Sequence, residues 1–266
     1  MSTLSDMDLL DLAGNLANDA AALINTIRAR GFTVQKKTDA TPVTEADKSS
    51  ELLILKELRK RTPSIPVVAE EEYSSGYNPI VHSEFWLVDP LDGTREFARG
   101  SDNFTVNIGL IRNHKPVLGA VVLPAYQQLY LGIVGQGAWR IDKQGKEAIH
   151  VAPPPTKGWR VMGSHHYATD PNLQAFLKHF PIMSVKNIGS AVKIVRIAEG
   201  SADLHPRFNR TMEWDTAAPQ AILEAAGGTL CTLDGQVLSY GKAGWENPSF
   251  VCASHPINDY LDKITL

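Results

Sequence analysis

Trp86-Leu87-Val88-Asp89-Pro90-Leu91-Asp92-Gly93-Thr94 sets three apolar strand formers against a segment holding two carboxylates, a proline and a glycine. Pro90 fixes its own φ and biases Asp89 towards an extended conformation. Such a turn aims Asp89 and Asp92 at one point, with the Leu91 carbonyl facing the same way. Gly93 removes the side chain that would block a close ligand. Thr94 adds a hydroxyl and a backbone N–H at the start of a short helical turn, a ready site for an anion. The plainer alternative is a surface turn, since Asp-Pro and Asp-Gly are common turn formers.

Two further segments carry acids at the end of an apolar run. Val67-Val68-Ala69 leads into Glu70-Glu71-Glu72, and Trp214-Asp215-Thr216-Ala217-Ala218 opens an apolar helix in which Asp215 could instead act as a cap. A carboxylate beside a β-rich core is costly unless something positive meets it. With no matching Lys or Arg nearby in the sequence, several such carboxylates imply bound cations. Oxygen-only ligands point to a hard ion, and Mg²⁺ suits phosphate chemistry. Glu71 and Glu72 read as solvated.

Working outward, Leu9, Leu12, Leu16, Ala20, Leu23 and Ile27 form one face of a helix over 4–30, stopped by Gly31. Residues 32–44 are short and β-rich. A helix fits 45–61, with Thr44 as N-cap, Asp47 and Glu51 early, and Pro63 just beyond. Strands are expected at 65–69, 85–88, 104–111, 117–123 and 128–134. The Pro153-Pro154-Pro155 run divides the chain into an N-terminal α+β sub-domain, 1–152, and a C-terminal α/β sub-domain, 153–266. The second half reads as strand 159–163, helix 171–179, strand 182–186, helix 190–199, strand 202–206, helix 214–226, strands 228–232 and 249–253, and a terminal helix.

Composition narrows the function classes. In 266 residues, 26 basic side chains face 29 acidic ones, a net charge of −3, and 43% are hydrophobic. That balance excludes general disorder and a broad basic surface for nucleic acid. No apolar run approaches the ~18 residues of an integral membrane segment. Asp6, Asp8 and Asp11 precede the first basic residue, Arg28, so the positive flank of a signal peptide is missing and a cytoplasmic location is expected. Cys231 and Cys252 match no redox or zinc spacing and read as small buried residues in a reducing compartment. Oligomeric state is not legible.

Together, Pro42-Val43-Thr44-Glu45-Ala46-Asp47, Asp89–Thr94, Trp214–Ala218 and Ala225-Ala226-Gly227-Gly228 resemble the lithium-sensitive, Mg²⁺-dependent phosphatase family of inositol monophosphatases and bisphosphate nucleotidases. The resemblance implies an αβαβα sandwich with the active site between its halves, and hydrolysis of a small-molecule phosphate monoester with two or three Mg²⁺ ions. By position, Glu70, Asp89, the Leu91 carbonyl, Asp92 and Asp215 would ligate metal. Gly93 and Thr94 would hold phosphate, in a substrate site that also takes in Leu91, Asp92 and Asp215. Asp47 and Thr94, with Glu70, would orient the attacking water.

Ser190-Ala191-Val192-Lys193 and Arg207 are similar to the nucleotidase branch, which removes the 3′-phosphate of adenosine 3′,5′-bisphosphate and would use Ser190, Lys193 and Arg207 on the nucleotide. A cationic pair there suits a second, non-reacting phosphate. Three alternatives stay open for these residues: a solvated Lys193, an Arg207 paired to Glu213, and an inositol or sugar monophosphatase sharing the metals. A non-catalytic nucleotide or metal sensor is a fourth reading, disfavoured because every expected acid is intact. Glu213 beside Asp215 has no evident role. His165, His166, Tyr77 and Trp159 are candidates to flank a base, with surface or core packing as the simpler account.

Overall fold

Helix α1 (Asp6–Arg30) starts at a reciprocal cap, where Ser5 and Asp8 bond each other's backbone N–H, and stops at Gly31, whose φ of 84° suits glycine. In this computed structural model residues 4–37, 41–164 and 169–261 are described. The short pair β1 (Val34–Lys36) and β2 (Pro42–Thr44) leads into α2 (Glu45–Arg61), capped by Thr44 as expected. Then follow β3 (Val67–Ala69), α3 (Glu70–Ser74), β4 (Glu84–Asp92), α4 (Thr94–Ala98), β5 (Thr105–Arg112), β6 (Lys115–Leu123), β7 (Gln128–Ile133), β8 (Gly137–Asp142) and β9 (Gly145–Ile149). Strands β3 to β9 form one seven-stranded sheet in sequence order, antiparallel except between β3 and β4. The hairpin β8–β9 was not expected. Its outer strand is exposed except for Ile149, so no apolar alternation marks it.

After the three prolines come β10 (Trp159–Gly163), α5 (Pro171–Leu177), β11 (Ile182–Asn187), α6 (Val192–Ala198), β12 (Leu204–Arg207), β13 (Thr211–Met212), α7 (Glu213–Ala225), β14 (Thr229–Thr232), β15 (Glu246–Asn247), β16 (Phe250–Ala253) and α8 (Asn258–Leu261). The second sheet has the order β11-β10-β12-β16-β14, and β13 pairs with β15 apart from it. Three apolar clusters stack these elements. One holds α1 and α2 against the first sheet. Another holds α6 and α7 between the two sheets, and the last closes the outer face of the second sheet with Phe176 of α5 and Leu261 of α8. The layering is αβαβα, as expected.

The seat of α7 fixes the place of Asp215, which lies in its first turn. Gly109, Gly119 and Gly132 are in register across β5, β6 and β7. A Cβ on Gly109 would lie 2.7 Å from Ala218 N, and one on Gly132 the same distance from Ile222 Cα. Gly119, between them, faces the Ala218 backbone. The glycine row lets the helix backbone rest directly on the sheet. Gly119→Ala should therefore destabilise the protein by about 1–3 kcal/mol through overpacking. Denaturant unfolding checks this, and an unchanged midpoint would count against the seat.

Candidate active site

Asp89 and Asp92 are three residues apart, so in a regular strand they would face opposite sides. Strand β4 prevents this with a bulge. Asp89 is level with Asn107 of β5 and Asp92 with Thr105, so three steps on β4 match two on its partner. The extra residue restores the parity and turns both carboxylates to one side. Pro90, which has no N–H to give a ladder, fits there. The sequence reading ended the strand at Val88 and expected a turn; the strand instead runs on to Asp92. The Asp89 carboxylate accepts from Leu91 N at 3.0 Å, and Asp92 accepts from Ala191 N, at the entry to α6, at 2.6 Å.

Two other acids arrive on helices. Asp47 and Asp215 each hold the third position of their helix and reach back to the N-cap backbone, Thr44 N to Asp47 Oδ2 at 2.7 Å and Met212 N to Asp215 Oδ2 at 2.9 Å. The cap fixes one oxygen of each acid and leaves the other for the site. On Asp47 that second oxygen accepts from Thr94 Oγ1 at 2.8 Å, while the same hydroxyl lies 3.2 Å from the Leu91 carbonyl. Gly93, with φ 93°, links the bulge to α4; a Cβ there would press on Asn103 O at 3.1 Å and Ser190 Cβ at 3.3 Å. Glu70 opens α3, which is held from below by Glu51, a fully used carboxylate accepting from Glu71 N and Glu72 N at 2.7 and 2.8 Å. Glu51 was read only as an early helix acid.

Carboxylate oxygens of Asp89, Asp92 and Asp215 lie within 4.8 Å of one another. Burial, and for Asp89 and Asp215 then the neighbouring acids, raise all three pKa values: Asp92 to about 6, Asp215 to about 7, and Asp89 well above the usual carboxylate range, with Glu70 its strongest acidic neighbour. Burial also raises Asp47, against the three donors that bond it. Three all-oxygen groups this close, each resisting ionisation, fit a hard divalent cation.

The expectation that no cation stands nearby is corrected. Lys37 pairs with Glu70 at 2.7 Å and with Glu71 at 2.6 Å, and the charge of Lys193 partly offsets the rise that burial imposes on the Asp92 pKa. Lys37 comes from β1's end, 33 residues before Glu70, so local sequence could not reveal it. Glu71 and Glu72 are likewise not solvated: the Glu71 side chain is 10% exposed on Lys37, and Glu72 takes two bonds from Arg59.

A cleft of about 750 Å³ joins this cluster to the second half, lined among others by Glu70, Asp92, Thr94, Ser190, Lys193, Arg207 and Asp215. Ser190 takes φ 55° to turn the chain into α6. Lys193 is buried, 6% exposed, with Nζ donating to Ser190 O at 2.7 Å; burial brings its pKa down to about 8. The solvated reading of Lys193 is therefore wrong. Arg207 bonds the Asn209 and Arg210 carbonyls. Glu213 has a role after all: it accepts from Gly241 N, Lys242 N and Lys242 Nζ, tying the loop after β14 to α7. Trp159 is core, edge-on to Phe180 and Tyr260, and Tyr77 lies under Arg59. His165 and His166 fall outside the described residues.

Residues 6–263 match the model of the inositol monophosphatase family. The chain is 38% identical over 247 residues to the 3′(2′),5′-bisphosphate nucleotidase CysQ of Salmonella typhimurium, covering 91% of this chain and 98% of that one. Among solved structures it is similar to CysQ from Bacteroides thetaiotaomicron, at 30% identity and a TM-score of 0.78 over 96% of this chain and all of the other. It is also similar to an inositol monophosphatase from Anabaena, at 27% identity and a TM-score of 0.76 over 97% and 94%. No helix among the described residues is long and apolar enough to cross a membrane.

Proposed function

The chain belongs to the inositol monophosphatase family, and we propose that within it the protein hydrolyses the 3′-phosphate of adenosine 3′,5′-bisphosphate to give AMP, in the cytoplasm. The observation that carries the reading is the pair Lys193 and Arg207 in the cleft that holds Asp92 and Asp215. A monophosphate needs no second cationic patch, whereas a bisphosphate does. The similarity to proteins named bisphosphate nucleotidase supports the same choice. The boundary at the three prolines gives the division of labour: 1–152 carries most metal ligands, and 153–266 supplies Asp215 and the specificity residues.

Glu70, Asp89, the Leu91 carbonyl, Asp92 and Asp215 would hold two or three Mg²⁺ ions. When bound, the ions supply water acidification and charge stabilisation at the attacking and leaving oxygens. The protein's own part is to position. Thr94 Oγ1, donating to Asp47 Oδ1, keeps its lone pairs for the proton of the attacking water. Backbone N–H groups of Gly93 and Thr94 face the phosphoryl oxygens. The P–O3′ bond breaks as the water oxygen joins phosphorus; one proton of that water stays on the released phosphate, and the other passes through solvent to the 3′-oxygen, which leaves as a hydroxyl. Lys193 and Arg207 grip the 5′-phosphate, with Ser190 turning the chain towards it.

Phosphate release from adenosine 3′,5′-bisphosphate, AMP and inositol 1-phosphate, with and without Mg²⁺ and Li⁺, tests this. The bisphosphate should give the highest kcat/KM, and a higher value for inositol 1-phosphate would reject the nucleotide reading. Arg207→Ala should raise KM for the bisphosphate roughly 10- to 100-fold, the loss of a charged hydrogen bond, and leave inositol 1-phosphate nearly untouched.

A further inference from the structure

His205 lies on β12, two residues before Arg207, so strand alternation puts both side chains on one face. Both line the cleft, as do Lys193, Ile194, Met212 and the ring of Phe250. The imidazole is 3% exposed, and its ring meets Phe250 edge-on at 6.3 Å. Nδ1 is 2.8 Å from the Met162 carbonyl, which can only accept, so Nδ1 must carry a proton. No other protein hydrogen bond engages the ring among the described residues. Burial first, then Lys193 and Arg207, push the His205 pKa well below the usual value, so the ring stays neutral. The remaining nitrogen, Nε2, is then a fixed acceptor in a wall whose two cations, Lys193 and Arg207, can only donate and whose apolar members are Ile194, Met212 and Phe250.

We propose that His205 is a specificity-determining residue that reads the base: Nε2 accepts a hydrogen bond from the exocyclic amine of adenine, whose flat face rests on the apolar wall around Phe250. This rests on the bisphosphate nucleotide reading and deepens it. The bland account, a core histidine tying β10 to β12 through Met162, explains Nδ1 but not why the ring borders the cleft beside two cations. An acceptor here rejects a base that presents a carbonyl in place of the amine. Lone pair would then meet lone pair.

The test compares adenosine 3′,5′-bisphosphate, its inosine analogue, in which a carbonyl replaces the amine, and its 2′-deoxy analogue. Wild-type protein should favour adenosine over inosine roughly 10- to 100-fold in kcat/KM, mainly through KM. His205→Gln, whose amide can turn either its oxygen or its NH₂ to the base, should bring that ratio close to one by relieving the lone-pair clash with inosine. His205→Phe, with neither the bond to adenosine nor the clash with inosine, should lose the preference. Equal wild-type rates on the two bases, a proportional loss on both in the variants, or a discrimination that follows the 2′-hydroxyl would each overturn the assignment. The substrate reading fails separately, if wild-type protein releases phosphate from none of the three. Thermal melts of both variants identify any loss that is merely unfolding.

Discussion

Asp89→Asn should lower kcat by about 10³-fold while raising the melting temperature of the metal-free protein. The two effects have one cause. Asp89 is buried beside Glu70, Asp92 and Asp215, and burial, then their charges, lift its pKa well above normal. An amide of the same shape keeps the Leu91 N–H bond through its oxygen and removes the cost of burying an ionisable group, charged or protonated, among the other acids. It also removes the carboxylate on which the proposed ions depend. A side chain of purely structural use would show the reverse pattern, with stability lost and turnover kept. Phosphate release and thermal melts of the two proteins, each with and without Mg²⁺, separate these outcomes. Near-wild-type kcat in the variant would sink the metal assignment.

Much of this site was legible because its acids sit at places the backbone itself marks. Asp47 and Asp215 are third residues of helices, where an acid bonds the cap, and both helices show as apolar periodic runs with sharp starts. The Asp89–Thr94 run announces itself through proline and glycine. What stayed hidden depends on tertiary approach. The bulge in β4 is a matter of register between strands, which a single strand's sequence does not contain. Lys37 meets Glu70 across 33 residues of chain, and Glu51 meets the α3 backbone across 20. Glu213 looked like surplus charge beside Asp215 because the loop it holds lies 28 residues downstream. The glycine row under α7 carries no pattern within any one strand and appears only when β5, β6 and β7 are aligned. Acids that serve a local cap are readable; groups that serve a distant backbone are not.

The same crowding of carboxylates should make stability fall with rising pH in the metal-free protein and stay nearly level when Mg²⁺ is present. In the metal-free protein Asp92 titrates at about 6 and Asp215 at about 7, above their value in the unfolded chain. Between roughly pH 4 and 7 the folded protein therefore holds more protons than the unfolded one, so stability falls as pH rises. The contribution is whole below about pH 4 and is lost as pH passes through 6 and 7. Each pKa unit is worth about 1.4 kcal/mol, and after discounting for water in the open cleft the loss by pH 8 is on the order of 3 kcal/mol. Magnesium should act in the other direction. It needs ionised ligands, so it competes with the protons and binds best where they have left. At a hundredfold excess over its Kd it adds about 2.7 kcal/mol. Melts at pH 5.5 and 8.0 should then show a small Mg²⁺ effect at the lower pH and a rise of about 5–10 °C at the higher one. Asp89→Asn should abolish that rise, because the variant has lost both the repulsion and the ligand. A Mg²⁺ effect equal at the two pH values would mean that the ion binds somewhere other than among these acids.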